Sequence, residues 1–447
     1  MLRMIYPISA LLVGVGLLLL GAGLLNTLLV LRAELENYSS ASIGLIMSGY
    51  FLGFFIGTYL ALPLVSRIGH IRAFAFCASL ISSLVLVHAL WVDSVVWFLM
   101  RVITGAALVI LYTIIESWLN GLATSQNRGK LFAIYMTVNL GALALAQQLL
   151  RADSTLSFIL FSLSSILISV SLIPVTWTRL KQPELHQVVR LPMKKLHQIA
   201  PVALLASLLS GLAMGAFWGL GALYASKMGL TTGQVAMFIS CTVLGGALLQ
   251  FPIGRWSDKL DRRLLLAYIS IAAGVIALVV IPVTAATGLL FLVIALYGGL
   301  AFAIYPVAIA HLVDHLKPEQ MLAGGSSLLL LHGVGAMIGP LVAGQLMELP
   351  GPLMVPLFWS VIHLVLGFMA LSYRRHGAEE DPGAHVADFV PMVRTTPMAF
   401  ELLPAEETAN QAEASTQPTW GTLTDSQQPE SPAGETSDLN KSEFDHL

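Results

Sequence analysis

The stretch Gly254-Arg255-Trp256-Ser257-Asp258-Lys259-Leu260-Asp261-Arg262-Arg263 carries six charged residues in ten, in a chain that is only 11% charged. Apolar runs flank it at residues 233–253 and 264–285. Glycine permits a tight turn and close helix approach. The two carboxylates and four cations can pair across helix ends. A short polar hinge between two long apolar segments is the pattern of a loop at a membrane surface, and it sets the reading of the rest.

The chain has 447 residues, is 56% hydrophobic and has a mean hydropathy of +0.80. Soluble domains carry roughly a quarter charged residues, so an ordinary globular protein, a disordered chain and a nucleic-acid binder are excluded. A bilayer core needs about 20 apolar helical residues. Breaking the sequence at Gly, Pro and charge clusters gives twelve such runs, at 7–32, 42–65, 71–91, 95–118, 130–150, 155–177, 199–224, 233–253, 264–285, 288–312, 322–346 and 353–373. The first run exceeds the roughly 7–15 residues of a cleaved leader's apolar region, so it is read as a span. Cys77 and Cys241 lie far apart in apolar stretches and offer neither a disulfide framework nor a thiolate metal site.

Basic residues mark the cytoplasmic side of a span. With a cytoplasmic N-terminus, 15 Lys/Arg before the C-terminal tail fall on that side and only Arg32, Arg151 and Lys227 on the other. Both termini are therefore expected in the cytoplasm, in a multi-pass inner (plasma) membrane protein. The longest inner loop, 178–198, holds Pro183, Pro192 and five Lys/Arg. It divides the body into six-span halves, 1–177 and 199–375. An offset of 192 carries Arg67 onto Lys259, and Asn139 onto the residue beside His332. The expected fold is all-α, with twelve transmembrane helices in two six-helix pseudo-repeats, an arrangement that transporters use. Residues 376–447 are acidic, rich in Pro, Ser and Thr and poor in aliphatics. Such a segment buries too little apolar surface to offset its ordering entropy. It is expected to be a disordered tail, and 389–400 is its one apolar-leaning part.

The quoted loop resembles the signature of the major facilitator superfamily, G-x-x-[SA]-D-[RK]-x-[GD]-R-[RK]. The equivalent first-half loop, Leu64-Val65-Ser66-Arg67-Ile68-Gly69-His70-Ile71-Arg72, keeps the arginine and glycine but has Ser66 in place of the aspartate. Arg101 with Gly105 looks like the superfamily's R-x-x-x-G element. The fifth span reads Asn139-Leu140-Gly141-Ala142 and lacks the Gly-Pro pair of drug/proton antiporters, while Gly335-x-x-x-Gly339-Pro340 occurs in the eleventh. Ile115-Glu116-Ser117-Trp118-Leu119-Asn120, Gln250-Phe251-Pro252-Ile253-Gly254 and Ala310-His311-Leu312-Val313-Asp314 resemble the YcaD-like branch of transporters over about residues 5–375. The resemblance implies the major facilitator fold. It also implies a cytoplasmic gate built from the two loops: Arg67, Gly69 and Arg72 in the first, and Gly254, Asp258, Lys259, Asp261, Arg262 and Arg263 in the second.

Ionisable groups at membrane depth are costly and mark pathways or gates. Arg101 either contacts an anionic solute or snorkels to outer headgroups. Glu116 and Asn120 share a helix face by i, i+4 spacing. With Ser66 in the loop, Glu116 is the candidate partner of Arg67 and Arg72, or else a proton carrier. His311, Asp314 and His315 share a face at the end of the tenth span. That spacing fits a metal clamp or a counterpart of the Glu116 region; the latter is preferred, and no metal or cofactor is expected. Asn139 and His332 sit about 15 Å deep by helical rise, as facing cavity liners or as interhelical hydrogen-bonding pairs. Asn26, Gln147, Trp218, Tyr297 and Tyr305 are further cavity candidates.

No nucleotide-binding loop and no metalloprotease or serine-hydrolase motif is present. The expected function is secondary active transport of a small solute by alternating access, driven by a proton gradient, in a chain acting as a monomer. The alternative is a non-transporting sensor that signals through the tail. The paired gate loops favour transport, since a sensor needs no opposed latches.

Overall fold

The computed structural model describes residues 2–124, 127–177, 183, 190–284, 287–348, 350–373 and 396. Twelve helices are long and apolar enough to cross a bilayer. The first half contains α1 (Leu2–Leu35), α2 (Ser40–Ile68), α3 (His70–Leu90), α4 (Ser94–Leu122), α5 (Arg128–Gln148), and a sixth span in two pieces, α6 (Phe158–Val170) and α7 (Leu172–Trp177). The second half contains α9 (Pro201–Lys227), α10 (Thr232–Ser257), α11 (Arg262–Val283), α12 (Thr287–Val313), α13 (Pro318–Glu348) and α14 (Met354–Ser372). These match the twelve apolar runs. Two details differ. A short helix, α8 (Met193–Ile199), occupies the end of the linker. The sixth span breaks at Ser171 because Pro174 has no N–H to give the Val170 carbonyl. Apart from Thr396, the tail expected to be disordered lies outside the described residues.

Helix starts follow local chemistry. Asp93 accepts the N–H groups of Val95 and Val96 at 3.0 and 2.9 Å ahead of α4. Thr231 and Gln234 form a reciprocal capping box ahead of α10. Gly69, with φ of 82°, turns the chain directly from α2 into α3, a conformation glycine adopts without steric cost. Prolines lie inside three helices that wall the central space: Pro63 in α2, Pro306 in α12 and Pro340 in α13.

Lipid tails are as apolar as leucine, so helices in a bilayer associate through close packing and hydrogen bonds, and small residues make that packing possible. Glycines set the tightest crossings here. A Cβ on Gly53 of α2 would lie 1.8 Å from the Val102 carbonyl oxygen, and one on Gly105 of α4 would lie 2.0 Å from that of Tyr50. The second half repeats the crossing. A Cβ on Gly245 of α10 would meet the Ala295 oxygen at 1.9 Å, and one on Gly298 of α12 the Thr242 oxygen at 2.1 Å. Gly53 and Gly245 are 192 residues apart, the offset read from the loops. Gly105 of the R-x-x-x-G element is therefore a helix-packing residue. Gly211 and Gly215 of α9 make the same kind of contact with α13.

Gly53→Leu or Gly245→Leu should force these backbones apart. The expected loss is about 1–3 kcal/mol or more, as for overpacked cores. Gly141 has open space at its Cβ position, so Gly141→Ala should leave stability unchanged or slightly raised. Thermal unfolding of purified protein in detergent checks all three.

Candidate functional site

A cavity with about 1030 Å³ of empty space, part of it open to solvent, lies between the two halves. The first half supplies one wall, the α2 face of Tyr50, Phe51, Phe54, Phe55 and Thr58. The second half supplies Met214, Gly215 and Trp218 from α9, Ala301, Phe302 and Tyr305 from α12, and His332 and its neighbours from α13. The lining is dominated by aromatic rings. Trp218 and Phe302 stack at 6.0 Å between centroids, and the Tyr305 ring lies 4.4 Å from that of His332. His332 Nδ1 is 3.2 Å from both the Ser210 hydroxyl and the Ser207 carbonyl oxygen of α9. Those contacts orient the imidazole in the cavity wall.

Three residues expected at the cavity form one connected bridge, of which Trp218 alone is among the cavity-lining residues. Arg101 Nη2 donates to Asn26 Oδ1 at 2.8 Å, and Asn26 Nδ2 donates to the Trp218 carbonyl oxygen at 2.9 Å. The Arg101 guanidinium also sits 4.7 Å from the centre of the Tyr50 ring. Arg101 is 2% exposed, so its side chain does not snorkel to headgroups; it points into the bundle. The bridge joins α4 and α1 of one half to α9 of the other. Asn26 and Trp218 are themselves 192 residues apart, so this contact runs between equivalent positions of the two repeats.

Further bonds close the end of the bundle away from the linker. Gln148 Nε2 donates to Ser240 Oγ at 2.7 Å, Ser240 Oγ to the Ala144 oxygen at 2.8 Å, and Arg151 Nη2 to the Gly233 oxygen at 3.1 Å. The Ala41 N–H reaches Glu348 Oε2 at 3.2 Å, and Gly44 of α2 packs against Pro340 and Gly344 of α13.

Other candidates fall elsewhere. Asn139 is fully buried in α5 and is not among the cavity-lining residues, so it does not face His332 across the cavity. Their matching depth did not fix which way each helix turns its polar residue. Gln147 joins α5 to α1, accepting from the Thr27 hydroxyl at 2.6 Å. Tyr297 is stacked on Trp359 with centroids 5.1 Å apart, inside the second half.

At the linker end, the second-half loop forms a buried ionic latch. Arg262, with its side chain 2% exposed, donates to Asp314 Oδ1 at 2.5 Å, to Asp258 Oδ1 at 3.2 Å and to the carbonyls of Ala310 and Ser257 at 3.0 and 3.1 Å. Asp261 caps α11 through the N–H groups of Arg263 and Leu264. Arg263 reaches the Tyr373 carbonyl. Gly254 is buried near the end of α10, and Lys259 is exposed. His311 and His315 stack edge to face, 4.9 Å apart. Among the described residues no group of three or more His, Cys, Asp or Glu could hold a metal ion.

The first-half loop is built differently. Arg67 and Arg72 are exposed. Glu116 is fully buried and takes the Tyr135 hydroxyl at 3.3 Å as well as Thr396 of the tail, so its described partners are not the two arginines. Asn120, one turn further along α4, is half-buried.

The family model for the Major Facilitator Superfamily matches residues 11–331 and, in a second overlapping match, 203–423. The chain belongs to the major facilitator superfamily. It is 28% identical to the MFS-type transporter YcaD of Escherichia fergusonii over 383 residues, covering 85% of this chain and 98% of that one. The YcaD of Escherichia coli strain K12 / DH10B is 29% identical over the same length. Among solved structures, the nucleoside transporter NupG (D323A mutant) aligns with a TM-score of 0.70 at 16% identity, covering 82% of this chain and 99% of that one. A bacterial homologue of the human lysosomal transporter Spinster aligns with a TM-score of 0.63 at 14% identity, over 81% and 94%. At these identities the two structures share the fold. The chain is a YcaD-like, multi-pass membrane transporter of the major facilitator superfamily.

As a major facilitator protein the chain has two loops in repeat positions, and comparing them exposes a residue that motif reading passed over. His70 is 192 residues before Arg262. It is buried too, and its Nε2 lies 2.9 Å from the Ser117 hydroxyl. Where the second half has Asp258 and Arg262, the first has Ser66 and His70; His70 pairs with Ser117 of α4, while Ser66 donates to the Pro63 carbonyl of its own helix. Applying the repeat offset to Arg262 would have found it.

Removing Arg262 leaves two carboxylates without their shared cation. Breaking a buried pair costs about 3–5 kcal/mol, and partial exposure of the two aspartates moves the expectation to the lower part of that range. Arg262→Ala should therefore lower thermal stability far more than Arg67→Ala, whose side chain is exposed. A comparison of melting temperatures for the two variants decides this.

Proposed function

We propose that this transporter moves a small, flat, largely apolar solute through the cavity between its halves by alternating access. One observation carries the reading. A ring-lined cavity has walls from both halves and is closed at one end by hydrogen bonds between those halves, so breaking the seal and forming another at the opposite end exposes the same cavity to the other side. Tyr50, Phe54, Trp218, Phe302 and Tyr305 offer stacking surfaces, and His332 offers a hydrogen bond to a single polar group. Apolar pockets with a few placed polar groups bind ligands of that kind. The basic bias of the loops supports a cytoplasmic linker end, both termini in the cytoplasm of a plasma-membrane protein, and an outward-facing seal. Proton coupling is the energy source we infer, with His332 of the cavity wall and the buried Glu116 of α4 as its titratable groups.

Indole and 1-naphthol serve as flat probes and glucose as the polar control. Both aromatics should bind with measurable heat in isothermal titration calorimetry, with affinity reduced in Trp218→Ala, while glucose should give no binding heat. His332→Ala should weaken probe affinity by about tenfold, or about 1.4 kcal/mol, with little change in melting temperature. Asn139→Ala should leave affinity unchanged. A loss of stability without a loss of affinity in His332→Ala would overturn the role given to the imidazole.

Orientation has its own test. A membrane-impermeant maleimide should label Lys227→Cys on intact cells and Met193→Cys only after permeabilisation. Labelling of both from one side would overturn the topology.

A further inference from the structure

Glu116 lies in α4, 0% exposed. An ionised carboxylate in such a place costs several kcal/mol unless it is hydrogen-bonded or paired. Besides the Tyr135 hydroxyl at 3.3 Å, its described donors come from a residue 280 positions later. The backbone N–H of Thr396 donates to Oε2 at 3.0 Å and to Oε1 at 3.3 Å, and the Thr396 hydroxyl donates to Oε2. Thr396 is itself 0% exposed. Hydrogen bonds to an ionised acceptor are about twice as strong as neutral ones, and one residue here directs both its donors at the same carboxylate.

We propose that Glu116 and Tyr135 form a binding site for the chain's own C-terminal segment, which docks through the hydroxyl and backbone N–H of Thr396. The ligand class is a threonine or serine in a peptide, presenting a hydroxyl and an amide together. The chain is long enough. The last span ends at Ser372, and the two dozen residues that follow can extend to about 80 Å at 3.3–3.6 Å each, ample to cross from α14 of the second half to α4 of the first. The site also lies where the linker passes, with Pro183 packed on Gly121 near the end of α4. A phosphate on Thr396 would remove its hydroxyl donor and place like charge against Glu116, so modification there would act as a release signal. The docking site does not depend on which solute the cavity takes.

Hydrogen–deuterium exchange on the purified full-length chain tests the docking without a transport assay. The peptide spanning 393–399 should exchange at least tenfold more slowly than the one spanning 420–430. Thr396→Glu sets a second carboxylate against Glu116, and Thr396→Pro removes the N–H. Each should raise exchange of 393–399 to the rate of 420–430, with peptides from the helices unchanged. Glu116→Ala should do the same from the other side of the contact, and because the two tail variants alter no helix, misfolding cannot mimic their effect. Equal rates in the unaltered chain, or protection that survives Thr396→Glu, would overturn the site.

Discussion

Helices in lipid gain little from hiding apolar surface against one another, because the solvent they leave is itself hydrocarbon. Contact must come from backbone proximity, and in this protein glycine at the crossing of α2 with α4 and of α10 with α12 supplies it. Much else follows from those crossings. They bring Tyr50 close to Arg101, because Gly105 lets the two helices touch one turn away. They also fix α2 and α12 as cavity walls, each held from behind by its glycine-matched neighbour.

The bundle buries charge unevenly. In the second half, Arg262 sits between two aspartates and two carbonyls, so its cost of burial is offset by four acceptors. The equivalent place in the first half holds a histidine on a serine. Arg101, the buried arginine of the first half, is instead held by an amide oxygen and an aromatic face. That arrangement joins the halves through Asn26 and the Trp218 carbonyl, while Glu116 of the same helix takes the Tyr135 hydroxyl and the donors of Thr396.

Span number, loop placement and the repeat were legible in the sequence because each rests on composition along the chain: apolar runs, charge clusters and a constant offset. That the charges of the second-half loop would pair at helix ends was legible from their clustering, but the pairing of Arg262 with Asp314 of α12 was not, because local spacing grouped Asp314 with His311 and His315 on its own helix. Depth was legible for Asn139 and His332, but azimuth was not. A helix with apolar residues on every side, half of them facing lipid, gives no amphipathic stripe to say which residue turns inward. The partner of Glu116 was hidden for a different reason. Proximity in sequence suggested Arg67 and Arg72, whereas the described donor comes from the far end of the chain, in a segment whose composition predicts no fold of its own.

Pro306 has no N–H, so the Phe302 carbonyl lacks its helical donor; the Gln250 side chain supplies a weak substitute at 3.4 Å. Pro340 likewise releases the carbonyl of Ala336, against which Gly215 packs. Both released carbonyls belong to residues of the cavity wall. A helix missing one rung of its ladder flexes there without breaking a hydrogen bond of its own. The barrier to bending α12 and α13 is therefore lowered at the level of the cavity, and the compliance of the wall is concentrated beside the space it encloses.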